Sequence, residues 1–216
     1  MKTPESPFRS YVGLLMAATL MLVLSGCANK SAKPESAAKP DASAAVPAAP
    51  NKTAVPAAAR PTIRVKAGID TPLTDSQGVK WAADTGFEDG LTIDRPDLKV
   101  TGTKTPEVYC SERYSMNAYS FNVPNGAYVV KLHFSEDFEG INAPEERMFT
   151  YAVRDGNAKG KIIKEVKSFS PWKAAGAQYK AYVDTVRFNV TSGQITITFV
   201  PEVENPQINA LEIIPE

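Results

Sequence analysis

The feature that most constrains this chain is the alternation on either side of Pro124-Asn125-Gly126. Tyr119, Phe121 and Val123 precede those three residues at every second position, and Tyr128, Val130, Leu132 and Phe134 follow in the same rhythm. A period of two gathers each set on one face of extended backbone, because successive side chains of a strand point to opposite sides. Pro, Asn and Gly supply the restricted and positive φ values that a tight reversal needs. The stretch reads as a hairpin of two antiparallel strands with one buried face. Charged, aromatic-bearing loops flank it, Ser111-Glu112-Arg113-Tyr114 before and Ser135-Glu136-Asp137-Phe138-Glu139 after. Binding groups are often displayed on loops held by such a scaffold.

The same period recurs along the chain. Ile63 to Gly68 alternates, a further strand is expected over Leu98–Thr101, and Met148 to Arg154 runs into an Asp155-Gly156-Asn157 turn. Lys161–Val166 is another candidate. Tyr179 to Val190 is a long extended segment that Thr191-Ser192-Gly193 turns, so that Ile195, Ile197 and Phe199 face one way on the return. The last strand is expected over Gln207–Ile214. No amphipathic helical stripe separates these segments, so the pattern predicts an all-β sandwich of two antiparallel sheets. Asp75, Gly78, Trp81, Asp84, Phe87 and Gly90 recur at a spacing of three, but two glycines argue against a helix there. An ordered loop is expected instead, pinned by Trp81 and Phe87, with Asp side chains capping local N–H groups. The alternative is a calcium site using Asp70, Asp75, Asp84, Asp89 and Asp94, although these are spread too widely for a dedicated loop.

The first quarter of the chain carries an address. Lys2 and Arg9 precede an apolar run from Tyr11 to Leu24, which ends in Leu24-Ser25-Gly26-Cys27. That order is an export signal, and the run falls short of the roughly 20 apolar residues of a comfortable membrane span. Leu-Ser-Gly-Cys resembles the bacterial lipobox, which implies a signal peptide over residues 1–26 and acylation of Cys27. Each buried methylene of an acyl chain contributes ~0.8 kcal/mol, so several chains would hold the protein at a membrane. Ala28, not Asp, follows the Cys, which points to the outer membrane of a Gram-negative envelope. From there to Pro61 the chain is nearly all Ala, Pro, Lys, Ser and Asn, and residues 27–61 read as a disordered tether. Residues 62–216 form the one domain.

The inventory for catalysis is thin. His133 is the single histidine, and its place between Leu132 and Phe134 puts it on the solvent face of its strand. With Cys27 acylated, Cys110 has no disulfide partner and reads as a small buried apolar residue. Neither a transition-metal site nor a Cys-His or Ser-His pair has enough members, and no cofactor is implied. Glu136, Asp137 and Glu139 could supply the two carboxylates of a glycosidase, but charged loop clusters read first as solvated surface. Lys+Arg and Asp+Glu both number 24, which removes any electrostatic reason to expect nucleic acid. A binding module fits better. Aromatic faces and directed polar groups hold a neutral ligand, and Tyr114, Phe138 and Glu204-Asn205 lie in three loops that one end of a sandwich can gather.

These motifs resemble the malectin domain family of carbohydrate-binding modules. The resemblance rests on Tyr109-x-x-Glu112-Arg113-Tyr114, the Pro124-Asn125-Gly126-x-Tyr128-x-Val130 strand and Leu132-His133-Phe134-x-Glu136. It extends through the Asp75–Gly90 pattern, Glu146-Arg147-Met148-Phe149 and the closing Glu204-Asn205-Pro206-Gln207-Ile208-Asn209-Ala210-Leu211-Glu212-Ile213. It implies a jelly-roll-like sandwich that binds glucose-containing oligosaccharides without catalysis. It also implies ligand contacts at Tyr114, Phe138, Glu139 and Glu204, to which the reading of the loops adds Asn205. Two positions depart from the family: Glu139 stands where a second aromatic is usual, and Glu204 where an Asp is. The reading is a lipid-anchored lectin-like module. The alternative is an envelope sandwich that makes protein contacts and has lost sugar binding.

Overall fold

The computed structural model describes residues 60–216. The expected signal, Cys27 and all of the tether but its last two residues lie outside the described residues. In chain order the strands are β1 (Ile63–Lys66), β2 (Leu73–Thr74), β3 (Lys80–Trp81), β4 (Phe87–Glu88), β5 (Leu91–Asp94), β6 (Ser111–Tyr114) and β7 (Ala118–Asn122). There follow β8 (Gly126–Phe134), β9 (Met148–Asp155), β10 (Lys161–Phe169), the short helix α1 (Pro171–Ala175), β11 (Tyr182–Val190), β12 (Gln194–Val203), β13 (Gln207–Ile208) and β14 (Ala210–Pro215).

Two antiparallel sheets form the sandwich, one ordered β1-β14-β8-β11 and the other β10-β9-β12-β7-β4. Val130, Leu132, Leu211 and Ile213 of the first meet Tyr119, Phe149, Tyr151, Ile195 and Ile197 of the second in one buried cluster. Each such side chain contributes roughly 1.5–3 kcal/mol on leaving water. The fold class is thus the all-β sandwich that the alternation predicts.

The expected hairpin is not one. β7 pairs with β12 and β4, whereas β8 pairs with β11 and β14, so Pro124-Asn125-Gly126 carries the chain from one sheet to the other. Period two says that Tyr119 and Tyr128 are buried, but not whether they lie side by side on one sheet or face each other across a core. Here they face each other. The Thr191–Gly193 turn makes the same crossing between β11 and β12, and the two crossings are tied together. Val123 N–H donates to the Gly193 carbonyl at 2.9 Å, and Gly193 N–H to Asn125 Oδ1 at 2.8 Å. Asp155, at the end of β9, accepts from the N–H and hydroxyl groups of Thr191 and Ser192.

A second corrected expectation concerns the outer face of β8. It is covered by a smaller cluster of Trp81, Val100, Val108, Tyr109 and Ala210. His133 is therefore 8% exposed and not a solvent-facing residue. Tyr109 Oη lies 3.0 Å from its Nδ1, Glu212 Oε1 lies 3.2 Å from its Nε2, and Trp81 packs edge-on against its ring. Leu98–Thr101 is likewise no strand. The strand is β5, a few residues earlier, and Leu98 and Val100 serve the small cluster. In the Asp75–Gly90 loop Trp81 is the buried pin, with its Nε1–H on Asp75 Oδ2 at 3.0 Å. Asp75 also caps Gln77 and Val79 N–H groups. Phe87 is not a pin, being 42% exposed beneath the Arg113 guanidinium. Cys110, read as buried, is only half-buried, with Sγ toward the carbonyls of Leu98 and Pro106.

The element contacts meet at Asn209, between β13 and β14, which is fully buried. Its Oδ1 accepts from Ser135 N–H at 2.7 Å. Its Nδ2 donates to the carbonyls of Tyr109 and Ser111 and to Asp137 Oδ2, at 3.1, 3.0 and 2.9 Å. Its own carbonyl accepts from Ala67 N–H and from Lys66 Nζ. Truncation would orphan several buried groups at once, each worth roughly 1–3 kcal/mol. Asn209→Ala is therefore expected to lower stability by about 3–5 kcal/mol in urea unfolding, with the denaturant slope unchanged. A loss below about 1 kcal/mol would show that the backbone ladders alone hold these elements.

Candidate functional site

A separate three-stranded sheet, β13-β6-β5, adjoins β8 of the sandwich through β13. Its register pairs Leu91 with Tyr114, Thr92 with Arg113 and Ile93 with Glu112. Alternation therefore sorts its side chains between two sides. Ile93, Glu112 and Tyr114 line a cavity of about 250 Å³, while Thr92, Asp94 and Arg113 line a separate one of about 490 Å³.

The smaller cavity is completed by Arg95, Phe138, Arg147, Glu204 and Asn205. Of the residues singled out from sequence, Tyr114, Phe138, Glu204 and Asn205 meet there, and Glu139, on the exposed loop beside Phe138, is not in its lining. Phe138 is 40% exposed and so offers a ring face to a ligand. Glu204 sits at φ +57, a left-handed conformation uncommon outside glycine, and its Oε2 accepts from Asn205 N–H at 3.1 Å. Holding a non-glycine residue there costs energy, and such strain gathers where a loop must present a side chain.

Beneath the rim lies an ion pair. Arg147 Nε donates to Glu136 Oε2 at 2.7 Å, and its Nη1 donates to the Asn205 carbonyl. Glu136 is fully buried and takes Phe138 N–H on its other oxygen. Burial raises the Glu136 pKa, against the pull of Arg147. The pair ties the Phe138 loop, the start of β9 and the Glu204-Asn205 loop to one another. It contributes geometry more than net stability, because desolvation offsets most of the attraction. Of the three carboxylates considered for hydrolysis, Glu136 is locked in this pair, Asp137 is buried and Glu139 is exposed; none lines the cavity.

Sequence reading missed Arg95, Glu112 and Arg147. Ser111–Tyr114, expected as a loop, is strand β6 paired with β5 and β13, and on a strand Glu112 shares the face of Tyr114 two residues later. Arg147 stands directly before β9, and nothing in the pattern relates it to Glu136.

Behind Glu112 the interior stays polar. Lys66 is buried, its Nζ donating to the carbonyls of Ala67, Ser111 and Asn209 at 2.8, 2.7 and 3.1 Å and contacting the Ser111 hydroxyl. Burial lowers its pKa to about 7. Burial likewise raises Asp137 to about 7, assisted by the Glu112 charge and opposed by Ser135, Asn209 and Arg95.

In the larger cavity Arg113 and Asp84 engage each other. Arg113 Nε meets Asp84 Oδ2 at 2.8 Å, and its Nη1 donates to the Asp89 and Gly90 carbonyls. Asp84 also accepts from Gly68 N–H and Tyr119 Oη–H. Gly68 is required there: its φ is +88, and a Cβ would lie 2.5 Å from the Glu112 carbonyl oxygen. Of the five aspartates weighed for calcium, Asp75 and Asp84 are thus held by protein donors.

The family model described as the Malectin domain matches residues 62–211. Among solved structures, a β-glucuronidase of Bacteroides uniformis shares the fold at TM-score 0.61 and 18% identity, over 72% of this chain and 18% of that one. The extracellular domain of ANXUR2 from Arabidopsis thaliana does so at TM-score 0.59 and 20% identity, over 72% and 41%. The plant receptor-like kinase FER gives 0.57 and 20%, over 72% and 42%. This chain spans less than half the length of each, and at such identities the likeness is one of fold. No curated protein matches the chain.

The polar interior sets a pH dependence. A carboxyl raised from 3.8 to about 7 makes the folded chain bind more protons than the unfolded one between those values, so stability falls as pH rises through that window. Glu136 acts in the same direction. Lys66, lowered to about 7, makes stability rise as pH climbs from there toward its ordinary 10.5. Urea midpoints of Asp137→Asn should fall less between about pH 4 and 7 than those of the parent. Parallel curves would place the titrating proton elsewhere.

Proposed function

The chain belongs to the malectin domain family, and on that premise we propose that it is a non-catalytic carbohydrate-binding module displayed on a lipid-anchored tether in a bacterial envelope. The observation that carries this reading is the single cavity lined by Tyr114, Phe138, Glu204 and Asn205. Those residues come from β6 and two separate loops, and they are the types that grip a sugar: flat rings for C–H faces, a carboxylate and an amide for hydroxyls. At about 250 Å³ the cavity lies a little below the roughly 300–1,000 Å³ typical of small-molecule sites. That size suits one ring of a longer oligosaccharide lying across the rim. Glucose-type oligosaccharides are the first ligands to try, on family grounds. With Glu139 in place of a second aromatic, stacking falls to Tyr114 and the exposed face of Phe138, so affinity should be modest. Lipid on Cys27 would keep the module at a membrane, and the Ala/Pro-rich segment would let it search the space above.

Phe138→Ala tests the site with little risk to the fold, since the ring is partly in solvent. It should weaken binding of any glucose-type oligosaccharide that the parent retains on a glycan array by about tenfold, equivalent to ~1.4 kcal/mol. An unaltered glycan profile would remove the cavity from the binding surface. Incubating the retained oligosaccharide with the parent should release no smaller sugar. For the anchor, Cys27→Ser should abolish incorporation of labelled palmitate and move the chain from the membrane to the soluble fraction. Retention at the membrane would mean that the N-terminal segment itself is the anchor.

A further inference from the structure

We propose that this cavity selects saccharides carrying an ammonium group over their neutral and uronic acid counterparts, with Glu112 the residue that determines the preference. The inference rests on the reading of the cavity as a saccharide site and names which class of saccharide it takes.

Charge comes first. Two arginines in the lining suggest an acceptor for acidic sugars, but their partners say otherwise. Arg147 is neutralised by Glu136 and donates to a backbone carbonyl. Arg95 approaches Glu112 Oε1 at 3.4 Å, beyond the length of a strong charged hydrogen bond. Arg95, Arg147, Glu112 and Glu204 make the lining itself neutral, and counting Glu136 behind Arg147 leaves one negative charge.

Hydrogen bonding points the same way. Glu112 is 2% exposed, and its Oε2 has no protein partner. Asp137 Oδ1, Gln207 Oε1 and Ser135 Oγ, also buried, lack partners too. The Ser135 hydroxyl can donate, and so can Asp137 in its protonated form, but neither is bonded to Glu112 Oε2. An unpaired buried acceptor costs roughly 1–3 kcal/mol, and more when it is charged. Glu112 lines the cavity, so a donor-rich group seated there would face its carboxylate with favourable charge, whereas a carboxylate would meet like charge. An ammonium brings three donors and a charge opposite to that of Glu112 and Glu204. Uronates would meet Glu112 and Glu204 with like charge, and neutral rings bring single hydroxyl donors.

The test uses the full chain in a non-glycoside detergent at pH 7. Its ligands are matched triplets of one glucose-based oligosaccharide in neutral, glucosamine and glucuronate forms. The expected order is glucosamine tightest by about tenfold over neutral, with glucuronate weakest; tenfold is ~1.4 kcal/mol, within the range of one charge-assisted hydrogen bond. Glu112→Gln should bring the glucosamine-to-neutral ratio close to one, whatever happens to the neutral affinity itself. Because Glu112 is buried, Glu204→Gln at the exposed rim serves as the second variant and should lower the same ratio. Tighter binding of the glucuronate form, or equal binding of glucosamine and neutral forms by the parent, overturns the inference and leaves the saccharide site standing. A preference that survives both variants overturns the role of the two carboxylates. Failure of every triplet to bind the parent withdraws the site itself, and the inference with it.

Discussion

The amide of Asn209 holds together what the two sheets alone would not. It bonds to the end of β8 through Ser135, to the chain on either side of Cys110 through the carbonyls of Tyr109 and Ser111, and to Asp137, while its backbone carbonyl receives Ala67 N–H and the Lys66 ammonium. These partners come from distant parts of the sequence, and the amide reaches them through polar and backbone groups, not through apolar contact. A sandwich core is non-directional: it fixes that the sheets meet, not where their ends finish. The amide supplies that direction, and with it the position of β6. Because the site is buried, each partner has no water to fall back on, so the arrangement is satisfied as a whole or fails as a whole.

From β6 the site follows by alternation. One residue of register separates Glu112 and Tyr114 from Arg113, and that single step sends them to different cavities. A slip of β6 by one residue against β5 would exchange the linings entirely. Two devices guard against it. The Arg113 guanidinium is held between Asp84 and the Phe87 ring, and Gly68 lies too close to the Glu112 backbone to admit any Cβ. The crowding at Gly68 thus acts on the register of the strand that carries the candidate ligand residues.

Much of this was legible in the amino-acid sequence, and the gaps have physical causes. Strict alternation exposed β8, β9 and β12 because their apolar periods are long. The same alternation misled at Pro124-Asn125-Gly126, since a side chain's burial does not say which sheet buries it; that is decided by the partners β11 and β12, more than fifty residues away. His133 was misplaced for a related reason. Its neighbours show which face is inside, but the outer face is covered by Trp81 and Tyr109, whose packing is a tertiary fact. Phe87 looked like a core anchor by type and sits instead half in solvent under a guanidinium. Tyr114, Phe138, Glu204 and Asn205 were found through motif resemblance, whereas Arg147 could not be, because its significance lies in a pairing with Glu136 across a loop.

That pairing also explains how two separate loops can form one site. Loops lose conformational entropy on ordering and usually recover it through apolar packing, yet Phe138 contributes little because it faces outward. Arg147 and Glu136 replace packing with direction. The guanidinium reaches the Glu136 carboxylate with one nitrogen and the Asn205 carbonyl with another, and Glu136 in turn holds Phe138 N–H. Exchange of the pair for apolar residues of similar volume could leave the domain equally stable, since burying two charges returns little net energy. It would also free the Phe138 and Glu204 loops to move apart. Stability and site geometry are therefore carried by different interactions in this domain: the core and the Asn209 amide hold the sandwich, and the buried ion pair holds the rim.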